Sequence, residues 1–203
     1  MKRVSLLMLA FIALAVTGTA QIKYGAKGGI NLAKVAGKNE GEKETFDSKV
    51  GLHIGGVVEI PVSEKFSVMP ELNFDQWGGQ LEEGGITMSM NLSYINVPVL
   101  AKYNVGGFGI YAGPQIGFLM SAKVKVDDED DGGELKDQLK GTDFSAVFGA
   151  EYNLAYGIFL SARYNLGLTR VNDEATDDDY FKNSAITFGV GIKFGGASGN
   201  AKK

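Results

Sequence analysis

The chain of 203 residues contains no cysteine, only four prolines and, after its N-terminus, no long hydrophobic run. Without cysteine there is no disulfide, no thiolate metal ligand and no acylated-cysteine lipid anchor. Without a further stretch of about 20 apolar residues, a polytopic helical membrane protein is excluded. Glycine, in contrast, is abundant at 29 residues. Neither a collagen period nor a phosphate-cradling motif accounts for it, so the glycines need another explanation.

The first twenty residues predict an export signal. Lys2 and Arg3 form a positively charged start, an apolar run follows over 4–16, and Gly18 and Ala20 are the small residues expected before a signal-peptidase cut. Loss of this segment leaves 18 of the 20 basic residues against 24 acidic ones, and a net charge of −6 argues against a nucleic-acid partner. The predicted organisation is a signal peptide over 1–20, one domain over 21–194 and a short polar tail over 195–203.

After the export signal, apolar and polar residues alternate with a period of two, which is the pattern of β-strands with two different faces. In the first run, for example, Ile22, Tyr24 and Ile30 alternate with Lys23 and Lys27. No helical period competes over a comparable length. The pattern predicts eight strands, over 22–33, 50–60, 66–75, 91–103, 108–124, 144–154, 158–171 and 185–194.

The alternation alone leaves open which face points inward, because a soluble lipocalin-like barrel would bury its apolar face. Two features favour the reverse. The polar face is rich in glycine, serine, asparagine and glutamine, as over 109–117, and this suits a narrow lumen shared by eight strands. The apolar face carries almost no charge, as a lipid-facing band requires.

The connections between the runs alternate in length. Short turns over 61–65, 104–107 and 155–157 alternate with longer polar segments, predicted as loops over 36–49, 76–90, 126–143 and 172–184. Outer-membrane barrels have short periplasmic turns and long extracellular loops. Six aromatic residues near the short turns are predicted to face outward as a girdle at the membrane interface: Tyr24, Phe66, Tyr103, Phe108, Tyr152 and Phe194. We therefore predict an all-β fold, an eight-stranded antiparallel up-and-down transmembrane β-barrel in the bacterial outer membrane.

Residues 94–103 read YINVPVLAKY and resemble the Tyr-x-x-x-Pro-x-x-x-Lys-Tyr strand of the PorT-like outer-membrane β-barrel family of Bacteroidetes. The segments 69–72, 111–114 and 162–168 agree with the same family in order and spacing. The resemblance implies an eight-stranded barrel like the transmembrane domains of OmpA and OmpX, and it implies a distant link to protein secretion through the type IX system. The tail after Phe194 departs from the pattern, because such barrels usually end at that aromatic residue.

Charged residues of both signs fall on the predicted inward face. Six are predicted to form a lumen charge network: Glu59, Glu71, Lys102, Glu151, Arg163 and Lys193. Lys23, Lys27, Asp75 and Lys123 are predicted to face inward as well. An unpaired buried charge is costly, so these side chains are expected to pair and to form a plug that seals and stiffens the barrel. The alternative is a gated path for small ions, because an eight-stranded lumen is too narrow for anything larger.

The single histidine, His53, lies near the predicted extracellular start of the second strand, where proteolytic barrels carry a histidine together with aspartates. No serine or cysteine pairs with it in register, which favours a satisfied lumen or rim histidine. The sequence therefore predicts no enzymatic activity and no cofactor.

The segment 127–134 resembles the start of a calcium loop, but its twelfth position is Gln138 and not a bidentate glutamate, so the EF-hand match fails. A solvated loop is the favoured interpretation. The alternative is a site in which this loop and the acidic run 173–179 share Ca²⁺ or Mg²⁺ with lipopolysaccharide phosphates. Its candidate ligands are Asp127, Glu129, Asp131 and Glu134.

The sequence thus favours a non-enzymatic outer-membrane barrel whose loops or periplasmic turns contact a partner in envelope maintenance or secretion. The competing hypotheses are a narrow pore or small-ligand transport barrel, and a soluble periplasmic binding barrel. Expected partners are outer-membrane lipid and lipopolysaccharide, the outer-membrane assembly machinery, and secretion or envelope proteins, with no nucleic acid among them.

Overall fold

The computed structural model describes residues 21–83, 85–126, 136–172 and 176–195, and the predicted signal peptide and nearly all of the predicted tail lie outside these ranges. The described residues form nine antiparallel strands: β1 (Lys23–Asn39), β2 (Glu42–Thr45), β3 (Asp47–Pro61), β4 (Phe66–Glu83), β5 (Ile86–Val105), β6 (Phe108–Val126), β7 (Thr142–Asn153), β8 (Ile158–Gly167) and β9 (Tyr180–Gly195). Among these residues, no helix has both the length and the apolar character needed to cross a membrane.

The strands close into a ring. Each strand from β3 to β9 pairs with its sequence neighbour, and β9 pairs with β1 from Lys23 opposite Gly195 to Lys38 opposite Tyr180. The short strand β2 pairs only with the end of β1 and adds a small hairpin to the rim. Eight strands therefore make the barrel wall, which confirms the predicted up-and-down barrel.

The faces of the wall are reversed relative to a water-soluble barrel. Along β9, the outward side chains of Ile186, Phe188 and Val190 are 44–52% exposed, whereas the inward side chains of Thr187 and Lys193 are at most 8% exposed. Burying apolar surface is the main force that folds a soluble domain, so an apolar exterior of this extent requires a lipid environment. The polar face is the inner one, as predicted.

Two of the four predicted loops are strands. The segment 36–49 is the end of β1, the β2 hairpin and the start of β3, and the segment 76–90 is the tip of the β4–β5 hairpin. The loop prediction at 76–90 is wrong because β4 and β5 stay paired through this polar segment, as far as Glu83 opposite Ile86. The Gly78-Gly79 pair forms no turn there. Gly78 instead lies within β4 at φ 138°, where a side chain would collide with the Met90 carbonyl oxygen. β4 and β5 are 18 and 20 residues long, well beyond the roughly 9–11 that cross a bilayer, so the wall projects past the membrane at this end.

A β-bulge changes which side chains of β6 face inward. Ser93 pairs with Ser121 but its neighbour Tyr94 pairs with Leu119, so Met120 has no partner on β5. Such a bulge shifts the alternation by one residue. Beyond it Ala122 is buried and Lys123 is exposed, which makes the prediction of an inward Lys123 wrong.

Candidate functional site in the barrel lumen

The lumen is filled by layers of side chains that can be followed along β4. All of the inward residues of this strand are at most 5% exposed. In order from the short-turn end they are Ser67, Met69, Glu71, Asn73, Asp75 and Trp77. Glu71 and Asn73 share one layer, each of the others belongs to a different layer, and the layers are described below in this order.

Nearest the short turns, Glu59, Lys102, Glu151 and Lys193 form a closed cluster that we call the quartet. Each lysine Nζ lies 2.5–2.9 Å from a carboxylate oxygen of both glutamates. The four side chains come from β3, β5, β7 and β9, which are alternate strands of the ring, so they meet across the lumen from four sides. The two positive and two negative charges balance, and no member is more than 8% exposed.

Glycine makes room for the quartet and for the layer above it. A Cβ on Gly109 would collide with Cε of Lys102, and a Cβ on Gly149 would collide with the Tyr111 ring. Both glycines lie on the inward face, where long side chains from neighbouring strands must share a narrow cross-section. This accounts for part of the high glycine content.

Above the quartet lies an apolar layer of six buried side chains. Its members are Val57, Met69, Leu100, Tyr111, Val147 and Phe159. A second apolar cluster lies toward the long-loop end and contains Trp77, Leu92 and Tyr94. The lumen is therefore polar only in part, because apolar residues also occupy inward positions of the alternation. The apolar layers keep water from the charges between them, which strengthens each ion pair.

The central layer contains one carboxylate and two cations. Glu71 accepts two hydrogen bonds from Arg163, at 2.8 and 3.1 Å, and one from Lys27 Nζ at 2.6 Å. Asn73 Nδ2 donates a further bond to the same carboxylate at 3.0 Å. The Arg163 guanidinium also lies 5.4 Å from the centroid of the Tyr111 ring, which adds a cation–π contact.

The next layer is built around Asp75. Its carboxylate lies 2.7 Å from Nδ1 of His53 and accepts bonds from Asn31 Nδ2 at 2.9 Å and Asn96 Nδ2 at 2.7 Å. Thr187 in turn donates to the Asn31 side-chain oxygen at 2.6 Å. The alternation placed the asparagines and the threonine on the polar face, but nothing in the sequence marked them as members of one network.

His53 is only 2% exposed and is the seventh residue of β3, so it lies further from the start of its strand than predicted. The physical reason is that β3 begins at Asp47, earlier than predicted, and the wall therefore continues past His53. Of the two places that the favoured interpretation left open, lumen or rim, the structure shows the lumen.

The structure places the six predicted network residues in two separate groups. Glu59, Lys102, Glu151 and Lys193 form the quartet, while Glu71 and Arg163 pair in the central layer. Sequence reasoning included Lys27 and Asp75 among the inward charges without assigning their partners. The predicted ion ligands Asp127, Glu129, Asp131 and Glu134 lie outside the described residues. Among the described residues, no group of three histidine or acidic side chains is arranged to hold a metal ion.

Comparison with known proteins agrees with this architecture. The family model of the outer membrane protein β-barrel domain matches residues 18–173, more than half of the chain. The chain belongs to the outer membrane protein β-barrel domain family. It is accordingly a protein of the bacterial outer membrane, and no curated protein matches it.

Among solved structures, the chain is similar to Ail, the attachment invasion locus protein of Yersinia pestis, with 14% identity and a TM-score of 0.49 over 85% of this chain and 98% of Ail. It is similar to Neisserial surface protein A, with 13% identity and a TM-score of 0.49 over 87% of this chain and 98% of that protein. It is also similar to OprG from Pseudomonas aeruginosa, with 13% identity and a TM-score of 0.47 over 85% of this chain and 95% of that protein.

In an outer-membrane β-barrel the short turns face the periplasm. The six aromatic residues predicted as a girdle all lie on the outer face near these turns, and they occur as three cross-strand pairs. Phe66 and Tyr103 have ring centroids 4.8 Å apart, and Phe108 and Tyr152 have theirs 4.6 Å apart. Tyr24 and Phe194 are opposite each other across the β1–β9 seam. This is the position that amphipathic aromatic rings take at a membrane interface.

Proposed function

We propose that the chain is a sealed, non-enzymatic barrel that acts as a structural or secretion-associated component of the cell envelope through its loops and periplasmic turns. The observation that carries the proposal is the quartet, in which four buried side chains from alternate strands meet across the lumen with balanced charge. An ion that crossed the barrel would have to displace these contacts. Removing one partner of such a buried pair costs about 3–5 kcal/mol, so the quartet opposes conduction.

Conductance across a planar lipid bilayer tests the seal. The wild-type protein is expected to show no discrete openings. Lys102→Ala/Lys193→Ala leaves two glutamates without cations and opens space beside them, so this variant is expected to show small cation-selective steps. Lys65→Ala, in an exposed periplasmic turn, is the matched control and should behave as the wild type. Discrete openings of the wild-type protein would overturn the proposal.

Absence of catalysis is part of the proposal. His53 and Asp75 resemble the orienting half of a catalytic triad, since Nδ1 of the histidine faces the carboxylate. Within the described residues, however, no hydroxyl is hydrogen-bonded to the other ring nitrogen, and the pair is buried under a layer of side chains at each end. The test is to assay the purified wild-type protein on peptide and lipid-ester substrates. Hydrolysis by the wild type that is lost in His53→Gln would contradict the absence of catalysis.

The second candidate function is a narrow pore or small-ligand transport barrel. It is favoured by a cavity of about 770 Å³ at the periplasmic end, whose lining includes Glu59, Lys102 and Lys193. A small solute could enter this cavity from the periplasm and would meet the quartet as its floor. The bilayer measurement separates the two candidate functions, because a transport barrel should show stable or brief channel openings in the wild-type protein.

The same proposal has three further parts. They are assignment to the PorT-like branch, cleavage after residue 20, and contacts with secretion or assembly proteins. The motif over 94–103 supports the first, and the basic start followed by the apolar run over 4–16 supports the second. For the third, Tyr156 offers a probe, because it projects from a periplasmic turn with 93% of its surface exposed. A photocrosslinker at position 156 should capture type IX secretion or assembly components from intact membranes, whereas one at the lipid-facing Val190 should not.

The proposal also includes a divalent ion shared between the acidic segment 127–134 and lipopolysaccharide phosphates. Its support is the density of carboxylates in the sequence. Calorimetry with millimolar Ca²⁺ tests it, and the absence of a binding heat would remove it.

A further inference from the structure

A basic groove lies on the outside of the wall at the long-loop end. It has a volume of about 390 Å³ and is lined by residues of β1, β2, β8 and β9. Four of the lining side chains are lysines, and no acidic side chain is among the described residues that line it. We call this feature the lysine groove and define it by Lys34, Lys38, Lys43 and Lys182.

Strand register explains why the four lysines share one surface. Lys38 is opposite Tyr180 on β9 and opposite Lys43 on β2, and Ala36, two residues before it, is opposite Lys182. Lys34 lies four residues before Lys38 on the same outward face, a distance of about 13 Å along a strand. Because neighbouring strands are about 5 Å apart, the four amines can converge on one multivalent anion.

The lysines of the groove have no acidic partners within the described part of the chain. None of their amines lies within 4.0 Å of a carboxylate, in contrast to the four cations of the quartet and central layer, which are all paired. The charge of Lys38 does lower the pKa of one described acidic residue, Asp177. Arg170 already binds Asp177 at 2.6 Å, and the hydrogen bond and charge of Arg170 lower the pKa of this exposed carboxyl more than Lys38 does. Four like charges in one groove repel each other, and an anion would relieve that repulsion.

The groove continues directly into the lipid-facing band. Two adjacent cross-strand rows run from β8 through β9 to β1. The upper row contains Leu166, Ser184 and Lys34, and the row below it contains Tyr164, Ile186 and Leu32. Leu166 and Tyr164 line the groove themselves, and both are at least 40% exposed on the outer face. The surface therefore presents positive charge next to apolar side chains, at the level where the membrane ends.

The ligand that matches this surface is an amphiphile with anionic headgroup charge and several acyl chains. The long-loop end of an outer-membrane barrel faces the outer leaflet, whose lipid carries phosphate groups on a sugar headgroup. We propose that the lysine groove binds the phosphorylated headgroup of lipid A, with the phosphates on Lys38, Lys43 and Lys182 and the acyl chains against Leu166 and Ile186. The lysines contact the phosphates directly, without a bridging metal ion.

Native mass spectrometry of the full mature protein in detergent, titrated with bisphosphorylated lipid A, tests the proposal. The test variant is Lys38→Gln/Lys182→Gln. A basic side chain at an anionic membrane surface contributes about fivefold to affinity, so the double variant should bind lipid A about 25-fold more weakly. The matched control is Lys65→Gln/Lys123→Gln, which removes two exposed lysines from outside the groove and should stay within twofold of the wild type.

Five further measurements make the outcome decisive. Dephosphorylated lipid A should bind the wild type and the double variant equally and weakly, and EDTA should leave the binding of bisphosphorylated lipid A unchanged. The proposal is overturned if the double variant binds as the wild type does, or if EDTA abolishes binding. Full competition by millimolar inorganic phosphate would assign the groove to a free anion and would also overturn it. Heat-dependent migration in gels shows whether each variant is folded. Bilayer conductance of the same samples shows whether the lumen is closed. A failure of lipid A binding can therefore be distinguished from a failure of the proposed sealed barrel.

Discussion

Arg163 and Glu71 are joined across the barrel by two parallel hydrogen bonds, although 92 residues separate them in the sequence. Glu71 belongs to β4 and Arg163 to β8, which are four strands apart in a ring of eight and therefore lie on opposite walls. The pair is a brace across the diameter. Its planar two-point geometry is one that arginine provides and lysine does not.

Removal of this brace should destabilise the barrel. Arg163→Ala leaves Glu71 with Lys27 as its only cation and is expected to lower the free energy of unfolding by about 3–5 kcal/mol. Arg163→Lys should lose part of that amount because it cannot form both bonds. Urea unfolding followed by gel mobility measures the effect. Arg170→Ala, which removes a solvent-exposed ion pair, is the control and should leave the free energy of unfolding almost unchanged. An Arg163→Ala variant as stable as the wild type would show that the central layer contributes nothing to sealing or stiffness.

The Asp177–Arg170 pair should be visible in a pH titration. The hydrogen bond from Arg170, the charge of Arg170 and, to a lesser extent, that of Lys38 hold the pKa of Asp177 below its ordinary value of 3.8. A depressed pKa means that the pair stabilises its loop above the ordinary pKa and that this contribution disappears as the pH falls through the lower value. Carboxyl chemical shifts in the labelled protein should give a midpoint below 3.8 for Asp177.

The cause is tested by substitution. Arg170→Ala should raise that midpoint to the ordinary range, and Lys38→Gln should raise it less. The attribution to Arg170 fails if its removal leaves the midpoint of Asp177 where it was.

Gly78 should be intolerant of a side chain. Its φ of 138° is unfavourable for any other residue, and a Cβ there would collide with the Met90 carbonyl oxygen. Gly78→Ala is expected to cost at least about 1–3 kcal/mol and to reduce the folded fraction after refolding into detergent. Gly28→Ala is the control, because its Cβ would meet only the His53 carbonyl oxygen at an ordinary 3.7 Å. Equal folded fractions for the two variants would contradict the placement of Gly78 within the strand.

The aromatic pair Phe108–Tyr152 should show energetic coupling. Its ring centroids are 4.6 Å apart at 47°, a tilted arrangement for which double-mutant cycles give about 0.5–1.5 kcal/mol. A cycle of Phe108→Ala and Tyr152→Ala, measured by equilibrium unfolding in lipid vesicles, should return a coupling in this range. The same cycle with Phe108 and Phe194, which are on strands that do not pair, should return a value near zero.

Much of the barrel could be predicted from the sequence because the two-residue alternation is a property of the backbone. It correctly predicted that Glu59, Lys102, Glu151 and Lys193 face inward. It could not predict that these four meet in one cluster, because contacts across a lumen depend on how far each strand is shifted along its neighbours. Lys27 illustrates this point, since Gly55 is its register partner on β3 whereas Glu71 is its ion-pair partner on β4.

Local irregularities account for the remaining differences. The bulge at Met120 reverses the alternation without any glycine or proline to mark it, which is why Lys123 was misplaced. The Gly78-Gly79 pair has the composition of a turn but the geometry of a strand. In both cases the pairing with β5 decides the conformation, and pairing is a tertiary contact that composition does not reveal.

The lysine groove is built on the seam where the chain closes on itself. Lys34 and Lys38 come from the first strand and Lys182 from the last, and the sixteen residue pairs between these strands bring them together. A barrel whose final strand has not yet docked would hold Lys182 apart from the other two and offer no groove. A glycolipid in the groove would thus distinguish closed barrels from unclosed ones. It would also stabilise the β1–β9 pairing, whose two strands are not consecutive in the chain.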